Sequence, residues 1–282
     1  MKPEAKIQKT FMKFLNQQIT RTGVVGVVIG LACAGPAWAQ ANDRLTPIQQ
    51  QIQVQQRRLS SSSVEERRDA LMKLGAMNHP DASRVAMSAL NDSEPVVRVT
   101  AAHAMASLPA TDALTAVTPL LTDKLEFVRR EAANALGATH SRAAVQPLLR
   151  LLTTDKEVSV RAAAAVALGK IQDEAAVLPL VNVLSGTASG KKSRTRENEF
   201  VMRAAAESLG QIGSRAAVPA VIATLGNQEM PMDVRRSAAI ALGTIGDATA
   251  VPSLRAVLGA EDPYLSEAAK LALRQITRNK SH

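Results

Sequence analysis

Nearly half of the 282 residues are apolar, aromatic residues make up only 2%, and the formal net charge is +9. Ala, Val and Leu must therefore supply the core, which suits helices that pack closely together. The single cysteine excludes an intramolecular disulfide, and a charge of this size does not require a nucleic-acid partner.

The first predicted element is a secretory signal peptide at residues 1–39. A start rich in Lys precedes an apolar run at 23–34, and Ala37-Trp38-Ala39 supplies the small residues that signal peptidase reads. The alternative, an uncleaved membrane anchor, is disfavoured because the run is shorter than the ~20 residues that cross a bilayer. A lipoprotein anchor on Cys33 is disfavoured because Gly30 stands where such motifs usually have Leu.

Cleavage after Ala39 would change the charge and the chemistry of the chain. The leader contains five of the 34 basic residues and one of the 25 acidic ones, so the mature chain would carry +5. Cys33 would leave with the leader, which removes thiol chemistry. We therefore expect a periplasmic or secreted protein that starts at Gln40 and has no membrane association and no nucleic-acid partner.

Residues 40–62 form a polar lead-in rich in Gln and Ser. Thr46-Pro47 can start a helix, but the apolar stripe that follows is only partial. This pattern predicts a marginal helix, or a mobile segment, that covers the first repeat. Ser63 and Glu66 then fit a capping box, which marks the start of the repeat array at residues 63–282.

A repeat of about 32 residues fills the rest of the chain. Its marker is a Leu-Gly pair, and the second residue of that pair is called the glycine position below. The steps between copies are 31, 31, 32, 41, 33 and 31 residues, and the glycine positions are Gly75, Ala106, Gly137, Gly169, Gly210, Gly243 and Arg274. A fixed period in this range predicts a solenoid, in which each unit buries its apolar face only against its neighbours.

Each repeat predicts two helices. An Ala four residues before the glycine position recurs in five units and allows close helix packing, and the Gly itself is expected to end the first helix in the left-handed conformation. An Ala seven residues after it and a Leu fifteen residues after it recur in six units and predict the buried side of the second helix. Pro119 is expected to shorten its helix.

A short acidic turn separates the units. Three Asp residues each precede an Arg by six positions, which predicts a structural ladder of Arg contacts along the stack; the pairs are Asp92 and Arg98, Asp123 and Arg129, and Asp155 and Arg161.

The pattern Val-Arg-x-x-Ala-Ala-x-Ala-Leu-Gly, followed by Ala-Val-x-Pro-Leu, resembles the HEAT-like repeat of the phycobilisome-lyase type. The match is clearest at 128–148 and 160–180, and the resemblance covers about 64–280. It implies an all-α, right-handed α-solenoid of about six to seven helical hairpins, with the second helices lining a concave face. Such repeats occur in chromophore lyases, in scaffolds and in proteins of unknown role, so the resemblance is specific for fold but not for function.

No catalytic motif stands out, and no cofactor or metal site is expected. His79 and His140 occupy equivalent turns of different units, too far apart to share a metal. Phe127, Phe200 and Tyr264 share one repeat position, nine residues before the Leu of the Leu-Gly pair, and are expected to pack at the start of the first helix.

The 41-residue step marks an insertion near 185–199. It is either a solvated loop or a docking element for an acidic partner, and its four basic residues are Lys191, Lys192, Arg194 and Arg196. Arg150 and Asn182 share one repeat position on the expected concave face and are further candidates. The sequence therefore predicts an exported, non-enzymatic scaffold that binds another protein, and the basic insertion favours a partner with an acidic surface. The alternative is a chromophore-lyase-like subunit or a chaperone.

Overall fold

A computed structural model describes residues 45–186 and 199–279 of the chain. The predicted signal peptide, its cleavage site and the four basic residues of the insertion lie outside these residues.

Helices dominate the described residues, which contain no strand. A lead-in helix is followed by six helical hairpins and one terminal helix. The helices are α1 (Pro47–Arg58), α2 (Val64–Ala76), α3 (Pro80–Ala86), α4 (Pro95–His103), α5 (Ala110–Val117), α6 (Glu126–Ala138), α7 (Val145–Thr154), α8 (Val158–Ile171), α9 (Val177–Leu184), α10 (Glu199–Ile212), α11 (Val218–Gly226), α12 (Met232–Ile245), α13 (Val251–Ala256) and α14 (Pro263–Asn279).

The hairpins stack as two layers of helices. The first helices of the units, α2 through α14 by even numbers, pack against one another in chain order. The second helices, α3 through α13 by odd numbers, contact their neighbours directly or through short 3₁₀ turns and form the other layer. The predicted α-solenoid of six to seven hairpins is thereby confirmed.

The repeated small and apolar residues form one continuous core. The Ala residues four before and seven after the glycine position are at most 1% exposed in every unit that has them. The Leu fifteen residues after it is buried in five units, whereas Leu258 in the last hairpin is only partly buried. Because each unit supplies the same thin Ala-lined faces, neighbouring helices approach closely along the whole stack.

The expectation that the glycine position ends the first helix was wrong. Gly137, Gly169, Gly210 and Gly243 all lie inside α-helices. A Cβ atom on Gly137 would lie 2.7 Å from the Cα atom of Ala167, and one on Gly243 would lie 2.6 Å from the Cα atom of Ala272. Glycine is needed there because the next first helix passes too close to leave room for a side chain.

The left-handed residue comes three positions later. It has positive φ in five units, at Asn78, His140, Gln172, Gly213 and Gly246. The second unit differs because Ala106 replaces the glycine. There the α-helix stops at His103, and a 3₁₀ turn at Ala104–Ser107 leads to an extended Leu108.

Other local predictions are confirmed in outline. The Ser63 Oγ atom accepts a hydrogen bond from the Glu66 amide at 3.4 Å, although the Ser63 amide donates to Ser61 Oγ rather than to Glu66. Helix α5 ends at Val117, and Pro119 lies in the 3₁₀ turn that follows, as its ring requires.

Both ends of the described stack are covered by polar residues. At the N-terminal end, α1 packs on α2 and α3 through the buried Ile52, and Arg58 Nη1 lies 2.5 Å from Asp69 Oδ2. At the other end, α14 has exposed Lys270 and Arg274 where the third to sixth units have buried Ala and Gly. A helix packed on this side of α14 would bury these two cations, which is costly.

Candidate functional site

The Arg–Asp ladder forms, and it joins adjacent units. Arg129 Nη1 donates to the carbonyl of Asp123 at 2.8 Å, while its Nε and Nη2 atoms donate to the carboxylate of Asp155 in the next unit at 2.7 and 3.0 Å. The same pattern joins Arg98 to Asp123 and Arg67 to Asp92. Arg161 Nη1 donates to the carbonyl of Asp155 at 2.7 Å.

The ladder is a structural device rather than a reactive one. Burial by itself raises the pKa of Asp155, but the hydrogen bonds from Arg129 and from the Glu157 amide outweigh it, so the pKa lies below its ordinary value. The pKa of Asp92 is lowered for the same reasons, with Arg67 as its donor. These carboxylates stay ionised, and they already accept hydrogen bonds from the Arg residues and from backbone amides between the units.

The histidines in the turns are also used by the fold. His79 is the N-cap of α3, where its Nδ1 atom accepts from the Asp81 amide at 3.2 Å. His140 Nδ1 lies 2.7 Å from the Lys170 carbonyl of the next unit. In the part of the chain that the structure describes, no three His, Cys, Asp or Glu residues gather into a group that could hold a metal ion.

The three aromatic residues at the shared repeat position differ in burial. Phe127 is partly buried against the core as expected, but Phe200 and Tyr264 are 60% and 71% exposed, so the packing prediction was wrong for those two. Each lies instead beneath a guanidinium, with Arg203 5.7 Å from the Phe200 ring centre and Arg236 5.1 Å from that of Tyr264.

A groove of about 870 Å³ runs across the first helices beside Phe200. Small residues of α8, including Ala162 and Val166, line it, and cations and carboxylates such as Arg203 and Glu207 both stand on its rim. Because these opposite charges lie side by side, the groove does not favour a partner of either charge.

The second helices present a more regular surface. The residues seven, eleven and fifteen after the glycine position face the core, while those nine and thirteen after it are exposed in all six hairpins. We call these twelve residues the second-helix strip. They are Arg84, Ser88, Thr115, Pro119, Gln146, Arg150, Leu178, Asn182, Pro219, Ala223, Pro252 and Ala256.

The second-helix strip contains no carboxylate. The acids of the second helices and of the turns leading into them all lie in the first turn or just before it, beside the helix N-terminus. They are Asp81, Asp112, Asp173, Glu174 and Asp247. Beyond that turn the charged residues are Arg84, which pairs with Asp81 at 2.5 Å, and the exposed Arg150 and Arg255. Among the described residues, no carboxylate pairs with Arg150 or Arg255.

Both predicted concave-face candidates belong to the strip. Arg150 on α7 and Asn182 on α9 are exposed, and they occupy the same position in adjacent hairpins. One turn earlier on the same helices lie Gln146 and Leu178, and Leu178 is 68% exposed. We call these four residues the central block. The sequence did not single out Gln146 or Leu178, since that repeat position holds both polar and apolar residues without a pattern.

The described helices define the class of the protein: an α-solenoid of stacked helical hairpins. A family model for HEAT repeats matches residues 54–136, 126–194 and 190–274. The chain therefore belongs to the HEAT-repeat family.

Solved structures with a similar fold include the complex of CpcE and CpcF of phycocyanin lyase from Nostoc sp. PCC7120. It is 21% identical, with 91% of this chain and 97% of that chain covered, at a TM-score of 0.49. Human deoxyhypusine hydroxylase is 19% identical, with coverages of 81% and 96% and a TM-score of 0.38. A designed armadillo repeat protein is 18% identical, with coverages of 80% and 99% and a TM-score of 0.37. At these identities the likeness concerns the fold alone.

A comparison with curated protein sequences finds no match. Among the helices at 45–186 and 199–279, none has the length and apolar character that a membrane span requires.

Proposed function

We propose that this protein is an exported, non-enzymatic scaffold whose second helices bind another protein. The observation that carries the proposal is the second-helix strip, which is exposed in six consecutive hairpins and has no carboxylate. The fold uses other titratable groups for its own packing, since the ladder Asp residues and His140 join one unit to the next and His79 caps its own helix. What remains for a partner is a long, regular, weakly cationic surface.

The proposal for export comes from the leader. The positive start, the apolar run and Ala37-Trp38-Ala39 favour transport followed by cleavage, which gives a mature chain that starts at Gln40. N-terminal sequencing of the protein isolated from its own cells checks this. A soluble cytoplasmic product that still begins at Met1 would contradict export and would favour the chromophore-lyase-like alternative.

Binding is tested by photo-cross-linking in producing cells. A photoreactive residue at position 150 should give an adduct with another protein. The same residue at position 274, on the exposed surface of α14, should give much less. Equal adducts at both positions, or none at either, would contradict binding through the second helices.

The basic insertion is the second surface proposed for the same partner. Lys191, Lys192, Arg194 and Arg196 bring four positive charges to the place where the repeat is broken. If they contact an acidic surface, changing all four to Ser should weaken binding and reduce its dependence on salt, because exposed charges are screened over ~8–10 Å at physiological ionic strength. Equal affinity and equal salt dependence would leave the insertion as a solvated loop.

A further inference from the structure

The central block offers three kinds of contact on two adjacent helices. Arg150 offers a cation, Gln146 offers a side-chain amide, and Leu178 offers an apolar side chain that is 68% exposed. A side-chain amide both donates and accepts hydrogen bonds, as does a peptide unit of a bound chain. A guanidinium recognises a carboxylate through two parallel hydrogen bonds.

The charges around the central block favour a partner that carries negative charge. No second helix has a carboxylate beyond its first turn, so an incoming anionic group that reaches Arg150 meets no carboxylate at the positions of the strip. Beyond the first turn the second helices have few exposed cations, and Arg150 and Arg255 are the ones without a carboxylate partner among the described residues. Nucleic-acid binding typically uses about 6–10 phosphate contacts, so two cations favour a partner with one or two carboxylates instead.

The apolar content of the strip selects the form of the partner. Leu178 is its one large aliphatic side chain, and the strip has no aromatic residue. A stable interface between folded proteins buries about 1,200–2,000 Å² and has an apolar, often aromatic centre, which this surface does not offer. An extended segment needs less apolar contact area, because it presents its main-chain amides and single side chains in turn to successive helices.

We infer that the central block binds an extended segment of another protein that presents a carboxylate to Arg150 and an apolar side chain to Leu178. This inference rests on the proposed scaffold function and names the chemistry of its partner.

The stacking gives the spacing of the segment. Packed helices lie about 8–10 Å apart, and an extended chain advances about 3.3 Å per residue. Arg150 and Leu178 lie on adjacent second helices, so the carboxylate and the apolar residue of the segment should be about three residues apart.

The test selects displayed random peptides on the purified full chain. The peptides have about twelve residues, which at about 3.3 Å per residue is long enough to cross four helices. Selection runs in parallel on Arg150→Glu and on Arg274→Glu, which makes the same change of charge on the exposed surface of α14. Wild type and Arg274→Glu should enrich peptides with Asp or Glu about three residues from Leu, Ile or Met. Arg150→Glu should lose this enrichment and bind a synthesised wild-type-selected peptide at least tenfold more weakly in low salt.

Enrichment without an excess of carboxylates, or equal enrichment on Arg150→Glu, would overturn the inference. So would tighter binding of a single-stranded oligonucleotide than of the selected peptides. The scaffold function would survive these results if the cross-link at position 150 still captured another protein, since a folded partner would then occupy the strip. Loss of that cross-link as well would remove both proposals.

Discussion

Gly75 and Gly137 occupy the same repeat position in helices of the same kind, yet the structure predicts opposite effects when each is changed to Ala. A Cβ atom on Gly137 would lie 2.7 and 2.8 Å from the Cα and Cβ atoms of Ala167. A Cβ atom on Gly75 would lie 3.5 Å from both equivalent atoms of Ala104, which is ordinary van der Waals contact. The approach is looser there because Ala104 starts the 3₁₀ turn of the unit that lacks the glycine.

The magnitudes follow from two opposing effects. Ala in place of Gly inside a helix stabilises the folded state by about 0.5–1 kcal/mol, because the unfolded chain loses freedom. Overpacking against backbone that cannot move costs about 1–3 kcal/mol. We therefore expect Gly75→Ala to raise the free energy of unfolding by about 0.5–1 kcal/mol and Gly137→Ala to lower it by about 1–2 kcal/mol.

Urea unfolding followed by far-ultraviolet circular dichroism measures both variants, and a thermal melt should show shifts of opposite sign of about 2–4 °C per kcal/mol. Gly226→Ala is a further control, since a Cβ atom there meets nothing within 4 Å, and it should be neutral or stabilising. If Gly75→Ala and Gly137→Ala changed stability in the same direction and by the same amount, close approach would not be the reason for the glycine, and the helix-seam explanation would fail.

Three further predictions concern the seams of the stack. Asp155→Ala should lower the free energy of unfolding by about 3 kcal/mol, because it leaves Arg129, whose side chain is only 9% exposed, without its carboxylate. Arg142→Ala should change it by less than about 0.5 kcal/mol, because the Arg142 side chain is 84% exposed in its ion pair with Asp173. Urea unfolding measures both variants, and equal losses would contradict the distinction. The folded-state pKa of Asp155 lies below its ordinary value, so its stabilising contribution is present above about pH 4 and is lost as the pH falls through the folded pKa. Because the pKa of Asp92 is lowered as well, melts from pH 7 to pH 2 should show a smaller acid loss in Asp155→Asn than in wild type, and an equal loss in the two would assign it to other groups. Ala165→Glu should cost several kcal/mol, because that position is 0% exposed and an unpaired carboxylate cannot be accommodated there; an unchanged melting temperature would show that the helix register is wrong.

The repeat could be recognised from sequence because its signal is redundant. One Ala or Leu says little, but an Ala seven residues after the glycine position in six units can come only from a side of a helix that is buried in every unit. The pairing of Asp with Arg six residues later also predicted a ladder. The sequence did not show that Arg129 bonds to the carbonyl of Asp123 and to the carboxylate of Asp155, because that choice depends on how far one unit lies from the next.

The role of the glycine could not be read from sequence for the same reason. A Gly near the predicted end of a helix is consistent with a left-handed cap and with a close helix crossing, since both situations favour Gly. Only the packed neighbours show that Ala167 passes within contact of Gly137, while the left-handed turn falls at His140. Likewise, Phe127 and Phe200 share a repeat position, but the depth of each is set by its neighbours on the adjacent helices.

The sequence by itself determined the class of fold, the approximate number of hairpins and the recurring buried Ala and Leu positions, because periodic burial leaves a periodic pattern of residue types. The tertiary structure decided which surface is available to a partner. Arg150 lies 28 residues before Leu178 and 32 residues before Asn182. They come together because stacking places the same position of successive helices side by side. The lack of acids at the nine and thirteen positions can be read from the sequence, but these positions form a continuous surface only when the six hairpins align.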